Sequence, residues 1–443
     1  MKIALIQNQS AESADKLVFT IETLFSAQVD LYSDFPSEAP KDALDLLIID
    51  WLKPKSAKIE KTLTHFANIP VILIADSTSE QPVIETLAPK VSATIERGLL
   101  FDQISSVVEG LIQSGVIKNI KGKSGFVRIR TKLLLDVNPL DAEVFIKLND
   151  MKYIKLMNAG DRFTQDDLDK YTKKKGVEYL YLNAASAEIF TGRYIEELEK
   201  IIKRPQAKPD MEQAGVQHEA VFEAVQSMMS EFGFKPQVQQ LAKTQIAATM
   251  KAIGSAPKLS DVVAQLKKIQ GKYGASHSFA CAYLACAIAS GVKWASETTF
   301  HKLNLAAFFH DAPLTNDELA EIQSFEELEE KKDKFDEREI QLFKTHTARA
   351  AELVRQFKEI PPDVDKIIME HHERPDGNGF PRKIKANQIA PLSCVFIIAH
   401  DLALEMRRKG DDFNLDQFMA DQDEYYNHGQ FKVVKIGLTV LKS

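Results

Sequence analysis

Between residues 1 and 115, short apolar runs alternate with stretches of helical spacing. The runs at 3–6, 46–49 and 71–74 have the unbroken aliphatic character of strands buried on both faces, and 13–26 and 58–67 repeat their apolar positions at the helical period. That βαβ order predicts a parallel sheet with helices on both faces. The pattern changes after a Gly/Lys-rich join at 114–125. Residues 126–130 alternate, 144–148 and 153–157 flank Asn149-Asp150 as a hairpin, and 177–182 form another strand. Thr164 with Asp167 starts a helix in capping-box style, and Gly176 ends it. The result is a small α+β module with no cluster of catalytic residue types, for which a regulatory or interaction role is the default. A second join, 203–215, carries Pro205 and Pro209. Beyond it strand signals largely vanish, and apolar residues recur at helical spacing in 220–232, 238–253, 262–269, 276–289, 303–309, 340–357 and 392–406. The expectation is a multidomain chain: an α/β domain at 1–115, a small α+β module at 116–205 and an all-α helical domain at 206–443.

Composition narrows the classes of function. Hydrophobic residues make up 44% and charged residues 27%, an ordinary soluble balance. No apolar run approaches the roughly 18 residues that a membrane-spanning helix needs, so no membrane role is expected. Met1 to Asn8 lacks a signal peptide's apolar core and cleavage site and reads as a first strand. Lys+Arg 56 against Asp+Glu 63 gives a net charge of −7, which argues against generic DNA binding. An anionic ligand would need a local basic pocket. Three cysteines, Cys281, Cys286 and Cys394, cannot form a disulfide framework, and the expected home is a reducing cytoplasm. Cys281 and Cys286 lie on an apolar helix and read as core.

Asp50 ends the third apolar element, at the edge where open α/β sheets place ligands. Asp50-Trp51-Leu52-Lys53-Pro54 resembles the phosphoacceptor Asp and loop proline of response-regulator receiver domains. That resemblance makes Asp50 a possible phosphoacceptor. Gln7 and Asn8 stand where receivers carry the acidic pair for Mg²⁺, Ala75 replaces the switch Ser/Thr, and Arg97 is near the usual lysine position. Without the acidic pair a divalent ion loses most of its hard oxygen ligands. A pseudo-receiver used for packing or dimerisation is the expectation, with signalling proteins as partners and a homodimer by analogy.

The strongest chemical signal is the distribution of histidine. Eight of the ten histidines follow residue 276. His277, His310 and His346 sit on or beside apolar helical segments, and His371-His372 follow Lys-Ile-Ile-Met-Glu. A charged imidazole near a core is costly, whereas a neutral one bound to a metal is not. Adjacent residues on a helix point about 100° apart, so His310-Asp311 can serve one site only near a helix end. A carboxylate there can bridge two ions, and His371-His372 can serve two ions in the same way. Histidines with a carboxylate suit Fe, Mn, Zn or Ni. Two ions bridged by hydroxide make a phosphodiester-hydrolysing site.

His371-His372-Glu373-Arg374-Pro375-Asp376-Gly377-Asn378-Gly379-Phe380-Pro381 resembles the HHE-x-x-DG-x-GYP signature of the HD-GYP subgroup of HD-domain metal-dependent phosphohydrolases. Phe380 replaces the signature tyrosine, and Gly377, Gly379 and Pro381 suit a tight preset loop. The resemblance covers roughly 255–410. It implies hydrolysis of cyclic di-GMP with two or three divalent ions, commonly Fe or Mn. It also implies ligation by His277, His310, Asp311, His346, His371 and His372, with a last ligand falling on His400 or Asp401. Asp311 would be catalytic, as the bridging group. Tyr273 stands where three-metal members carry glutamate, which favours two ions.

Departures from the family pattern concern positive charge. Ala312-Pro313-Leu314 replaces the usual Ile-Gly-Lys, Ala280 replaces an arginine three residues after His277, and Cys394 replaces another before the last ligand. Arg382, Lys383 and Lys385 follow the loop and are the candidate substrate-binding cations. The densely charged run 326–339 reads as a solvated helix or lid. Two alternatives accompany the phosphodiesterase reading: a cyclic di-GMP sensor or interaction protein that keeps its metal site, and a phosphohydrolase for another nucleotide.

Overall fold

The computed structural model describes all of residues 1–443 except 10, 26, 37–43, 53–55, 67, 77–78, 115, 118–124, 150–151, 204–210, 254–262, 265, 267–271, 358–359 and 443. It divides into two compact units, 1–125 with 230–233, and 126–229 with 234–443.

The first unit is built on five parallel strands, β1 (Lys2–Gln7), β2 (Gln28–Tyr32), β3 (Leu46–Asp50), β4 (Val71–Ala75) and β5 (Ala93–Glu96), in the order β2-β1-β3-β4-β5. Helices α1 (Ala11–Phe25), α2 (Ser56–His65), α3 (Gln81–Leu87) and α4 (Leu100–Gln113) complete the doubly wound arrangement. Every residue of β3 and β4 is buried, which is why those strands read as unbroken aliphatic runs. Alternate residues of each strand feed two separate cores, Ile3, Leu5, Ile48 and Ile72 on one face and Ala4, Ile6, Ile49 and Leu73 on the other. The edge strands β2 and β5 are half exposed and carry polar residues, so sequence pattern alone does not reveal them.

The second unit opens with an antiparallel sheet in the order β6-β9-β7-β8: β6 (Phe126–Arg130), β7 (Val144–Asn149), β8 (Lys152–Met157) and β9 (Tyr179–Asn183). The Asp150 half of the hairpin turn lies outside the described residues. Thr164 and Asp167 form the reciprocal capping box that starts α5 (Gln165–Asp169). Helix α6 (Ala184–Lys203) follows.

The helical part comprises α7 (Met211–Phe232), α8 (Pro236–Ile253), α9 (Tyr273–Gly291), α10 (Glu297–Phe309), α11 (Asp317–Ala320), α12 (Phe325–Lys331), α13 (Glu337–Arg355), α14 (Val364–Glu370), α15 (Pro391–Lys409), α16 (Leu415–Asp421) and α17 (Phe431–Lys442). Helix α7 begins at Met211, so the expected join at 203–215 extends less far than its prolines suggested. The helix expected at 262–269 lies largely outside the described residues. Helix α9 is buried on nearly every face and packs against α10, α15 and α17, which makes it the axis of the bundle.

Arg130 joins the sheet to the helices. It is only 14% exposed and forms ion pairs with Glu219 (2.6 Å) and Glu223 (2.6 Å) of α7. Lys272, immediately before α9, donates its backbone N–H to Glu219 and directs its ammonium to Tyr179 of β9. The small sheet is thus tied to the start of the helix that carries His277.

Candidate metal centre

Each candidate ligand is delivered by a helix or a helix end. His277 lies one turn into α9. His310 caps the C-terminus of α10, where Asp311 follows as the chain turns away. Ser296 caps the start of α10 by accepting from Thr299 N–H, and thereby fixes its register. His346 lies midway along α13, which begins in an Asp336–Glu339 capping box. His371 caps α14, His372 follows it, and His400 is on α15.

These residues converge on two sets of donor atoms. His277, His310, Asp311 and His400 form one, and Asp311, His346, His371 and His372 the other. Within each set the donors lie within 4.8 Å of one another, and every residue is buried. Asp311 belongs to both. Its Oδ2 faces Nε2 of His310 at 3.3 Å, while Oδ1 faces Nε2 of His346 at 3.4 Å and of His371 at 3.5 Å. One carboxylate therefore presents an oxygen to each set.

The hydrogen bonds fix which imidazole atoms are available. Nδ1 of His310, His346 and His371 each lies against the carbonyl three residues earlier, Ala307 (2.9 Å), Phe343 (2.6 Å) and Ile368 (2.7 Å). A carbonyl only accepts, so Nδ1 carries the proton and Nε2 holds a lone pair. His277 Nδ1, His310 Nε2, Asp311 Oδ1, His372 Nδ1 and both ring nitrogens of His400 are buried without a protein hydrogen-bond partner. Buried polar atoms are rarely left so. A divalent cation satisfies this collection of lone pairs.

Protonation points the same way. Burial, reinforced by neighbouring imidazoles, holds His277 and His372 well below the ordinary imidazole value and brings His400 down to about 4. Burial also brings His346 down to about 3. Burial alone would raise Asp311, but the imidazoles around it, His310 first, hold the carboxyl well below its usual range. Neutral imidazoles at His277, His346, His372 and His400 beside an ionised carboxylate are donors already in the state that binds a metal.

The alternatives at the last ligand position separate by their partners. Asp401 is held by both carboxylate contacts of Arg374 (2.8 and 3.1 Å) and by the Tyr426 hydroxyl. Burial opposes its ionisation, yet Arg374 brings it down to about 2. His400 faces the cluster, and Asp401 faces away into an ion pair that anchors the same turn of α15.

The loop after His372 is folded back against it. Phe380 N–H donates to His372 O (3.1 Å), and the Phe380 ring stacks on the His372 imidazole at 4.4 Å. Gly377 has φ +85°, and a Cβ on Gly379 would lie 2.4 Å from both Arg374 N and His372 O. No side chain fits there. Glu373 is fully buried and accepts from the N–H groups of Arg382 (2.7 Å) and Ile384 (3.0 Å), which closes the loop. Arg382, Lys383 and Lys385 are exposed, and Arg382 pairs with buried Glu370 (3.3 Å). Leu314, where the resemblance expects a lysine, is buried in an apolar cluster with Tyr273, Phe343 and Phe380.

Part of the charged run is not fully solvated. Phe325, Leu328 and Phe335 pack into that same cluster, and Phe325 stacks on Phe380 at 4.5 Å. Its acidic residues face outward, with Glu327 meeting Arg408 at 3.1 Å. Sequence reasoning flagged Tyr273 only for its position. Its ring stacks on His277 at 4.8 Å. Cys281, read as core, is core and also lies 3.4 Å from His277 Nε2. The Arg374–Asp401–Tyr426 arrangement had no sequence signal, because Tyr426 lies far outside the motif.

In the first unit, Asp50 is 1% exposed and does not stand open. Arg97 Nε donates to Oδ1 at 3.1 Å, and Gln7 (3.1 Å) and Gln9 (2.5 Å) donate to Oδ2. Lys53 and Pro54 lie outside the described residues. No helix among the described residues is long and apolar enough to cross a membrane.

The HD-domain family model matches residues 287–414, which include His310, Asp311, His346, His371, His372 and His400. His277 precedes the match, and its place in the cluster rests on the structure. No curated protein matches the chain. The solved structure of Bd1817, a HDG"Y"P protein from Bdellovibrio bacteriovorus, is similar at 18% identity and a TM-score of 0.47, over 72% of this chain and all of that one. Similarity to the HD-domain family thus spans residues 287–414 of this chain.

Proposed function

We propose that this chain is a dimetal phosphodiesterase that hydrolyses cyclic di-GMP, with Asp311 shared between two metal positions. The observation that carries the reading is the pair of buried donor sets that meet at Asp311. His277, His310 and His400 would hold one ion and His346, His371 and His372 the other. Fe or Mn fits such a mixed imidazole and carboxylate set. Two ions there would supply Lewis acidity toward a phosphodiester. The chain's own contribution is orientation. Backbone carbonyls fix three imidazoles in one tautomer, and Glu373 holds the Gly379–Pro381 loop against His372. Arg382, Lys383 and Lys385 are the nearest exposed cations in sequence to that loop and the proposed contacts for substrate phosphate.

The test is hydrolysis of cyclic di-GMP by anaerobically purified protein loaded with iron or manganese, with Asp311→Ala as control. A linear product that disappears in the variant supports the proposal. Unchanged metal content in Asp311→Ala would sink the ligand assignment, and failure on cyclic di-GMP with turnover of another nucleotide would move the substrate.

A second reading, a cyclic di-GMP sensor or interaction protein that keeps its metals, is favoured by one observation. The residues of both donor sets are at most 3% exposed, and Leu314 offers no charge to a phosphate. Saturable nucleotide binding by well-metallated protein without product would establish it. The first unit is proposed as a pseudo-receiver, because the parallel order β2-β1-β3-β4-β5 puts Asp50 at a strand end where Arg97 already occupies it. Under this reading it works through protein contacts, in a cytoplasmic signalling role and with dimerisation as its simplest use. The proposed domain limits remain 1–115, 116–205 and 206–443.

A further inference from the structure

A cavity of about 380 Å³ lies in the second unit, between the small sheet module and helices α7 and α8. It has no part in the reading above. Its walls are mixed in a particular way. Leu133, Leu135 and Ile202 give an aliphatic side, Lys132 and Lys251 bring two ammonium groups, and Asp136 brings one carboxylate. Lys132 directs one of its three N–H donors to Val216 O at 2.9 Å. Gln245 also lines the cavity. It is 1% exposed, and its carbonyl oxygen has no protein hydrogen-bond partner. An acceptor buried in that state calls for a donor from elsewhere.

The other end of the Gln245 amide begins a directed chain of hydrogen bonds. Gln245 Nε2 donates to Thr249 Oγ1 (3.3 Å), which lies 3.2 Å from His218 Nδ1. His218 Nε2 lies 3.1 Å from Ser278 Oγ, and Ser278 Oγ donates to Ala307 O at 2.8 Å. Serine has one hydroxyl proton, so Ser278 accepts from His218 Nε2–H. His218 Nδ1 must then accept from Thr249. Every proton in the chain points from the cavity toward Ala307 O, the carbonyl that also receives Nδ1–H of His310 at 2.9 Å. His218 is enclosed by Phe222, Phe279 and Phe308, and in such an apolar surrounding the bonds of the chain polarise one another.

We propose that this cavity binds a zwitterion of the amino-acid class, free or as a short peptide, and that the Gln245–Thr249–His218–Ser278 chain couples its occupancy to His310. The ligand's carboxylate meets Lys132 and Lys251, its ammonium meets Asp136 and the Gln245 carbonyl, and its aliphatic body meets Leu133, Leu135 and Ile202. The volume accommodates a ligand larger than a single small amino acid. The binding claim stands apart from the proposed function. The coupling claim rests on the reading of His310 as a metal ligand.

The test uses the full chain in two arms. In the first, each free proteinogenic amino acid, dialanine, dileucine and a control set of nucleotides are screened by thermal shift and calorimetry. The proposal expects a saturable zwitterion, free or dipeptide, whose affinity drops roughly tenfold or more in Lys132→Met and in Gln245→Leu, each variant first shown folded by circular dichroism. No binding by any zwitterion to folded wild-type protein, or occupancy by a nucleotide instead, overturns it. In the second arm, manganese-loaded protein is challenged with a chelator, with and without the ligand found. The expectation is a ligand-dependent rate of metal loss in wild type that becomes ligand-independent in Ser278→Ala, which still binds the ligand. An unchanged rate in wild type overturns the coupling. Failure of manganese to bind at all would instead overturn the metal-centre reading and leave the first arm to decide the cavity.

Discussion

Nε2 of His346 and Nε2 of His371 face each other at 3.3 Å. Each ring commits its Nδ1 proton to a backbone carbonyl. Two lone pairs are therefore opposed in a buried space, with Asp311 Oδ1 close to both. This arrangement repels itself unless a cation lies among the three atoms. Chelator-treated protein should accordingly unfold at a lower temperature than metal-loaded protein. At free metal a hundredfold above its dissociation constant, the stabilisation should reach about 2.7 kcal/mol. His371→Ala should bind less metal by elemental analysis and lose most of that metal-dependent gain. Equal Tm values for chelated and reloaded wild-type protein would refute the metal centre.

Phe380 occupies the position of the signature tyrosine, and the substitution has a local cause. Its ring is 3% exposed, stacked between His372 and Phe325 within the apolar cluster that also holds Phe343 and Leu314. A hydroxyl added there enters an apolar space. Phe380→Tyr should destabilise the protein by about 1–3 kcal/mol through an unpaired polar group, and Phe380→Ala by about 3–5 kcal/mol through the cavity it leaves. Urea unfolding would measure both. A Tyr variant as stable as wild type would show that the hydroxyl has a partner, and that the cluster is less apolar than described.

The parts of this fold that were legible in the sequence share one physical feature, local repetition. Strands β1, β3 and β4 are buried on both faces and show it as unbroken aliphatic runs, and the long helices repeat their apolar positions. Strands β2 and β5 lie at sheet edges with mixed exposure, so nothing local marks them. Helix α9 was visible because it is apolar throughout. That α15 and α17, from far along the chain, pack against it had no local signal, although α15 itself was legible from its helical spacing at 392–406. At the site, the HHE…GFP signature is a contiguous loop, and its Gly379 and Phe380 make contacts within that loop. The choice between His400 and Asp401 could not be made from spacing. It depends on Arg374 and Tyr426, which claim Asp401 through contacts 27 and 25 positions away.

Asp50 in the first unit is held as an ion-paired structural group. Its side chain is 1% exposed and that of Arg97 19%, and Arg97 also meets Glu80 at 3.1 Å. Arg97→Ala leaves two carboxylates facing each other's neighbourhood without their shared cation and should cost about 3–5 kcal/mol. Burial already raises the pKa of Asp50 against the pull of Arg97, so losing the arginine should drive the carboxyl toward its neutral form. Asp50→Asn in the Arg97→Ala background should recover part of the loss. Incubation with acetyl phosphate should give no acyl phosphate on the wild-type chain by intact mass. A stoichiometric phosphoryl adduct at Asp50 would contradict the pseudo-receiver reading.

His218 supplies a pH dependence whose sign can be worked out. Burial alone brings its pKa from an ordinary 6.5 down to about 3. Its aromatic surroundings offer no anion to hold a proton. As pH falls through 6.5 the unfolded chain takes up a proton at this residue and the folded chain does not. The unfolded state is thereby favoured, by about 1.4 kcal/mol per pH unit once well below 6.5. The contribution of neutral His218 is complete above pH 6.5, declines as pH falls and levels off near 3. Other buried imidazoles add slopes of the same sign, so the wild-type curve alone does not isolate it. The difference between wild type and His218→Gln does. Glutamine keeps hydrogen-bonding capacity toward Thr249 and Ser278 but cannot titrate, so the variant's urea-unfolding free energy should fall less steeply between pH 6.5 and 5, by close to one proton's worth of slope. Parallel curves over that range would mean that His218 takes up its proton in the fold as readily as in the unfolded chain, and that the directed hydrogen-bond chain from Gln245 to Ala307 does not run as the neutral ring requires.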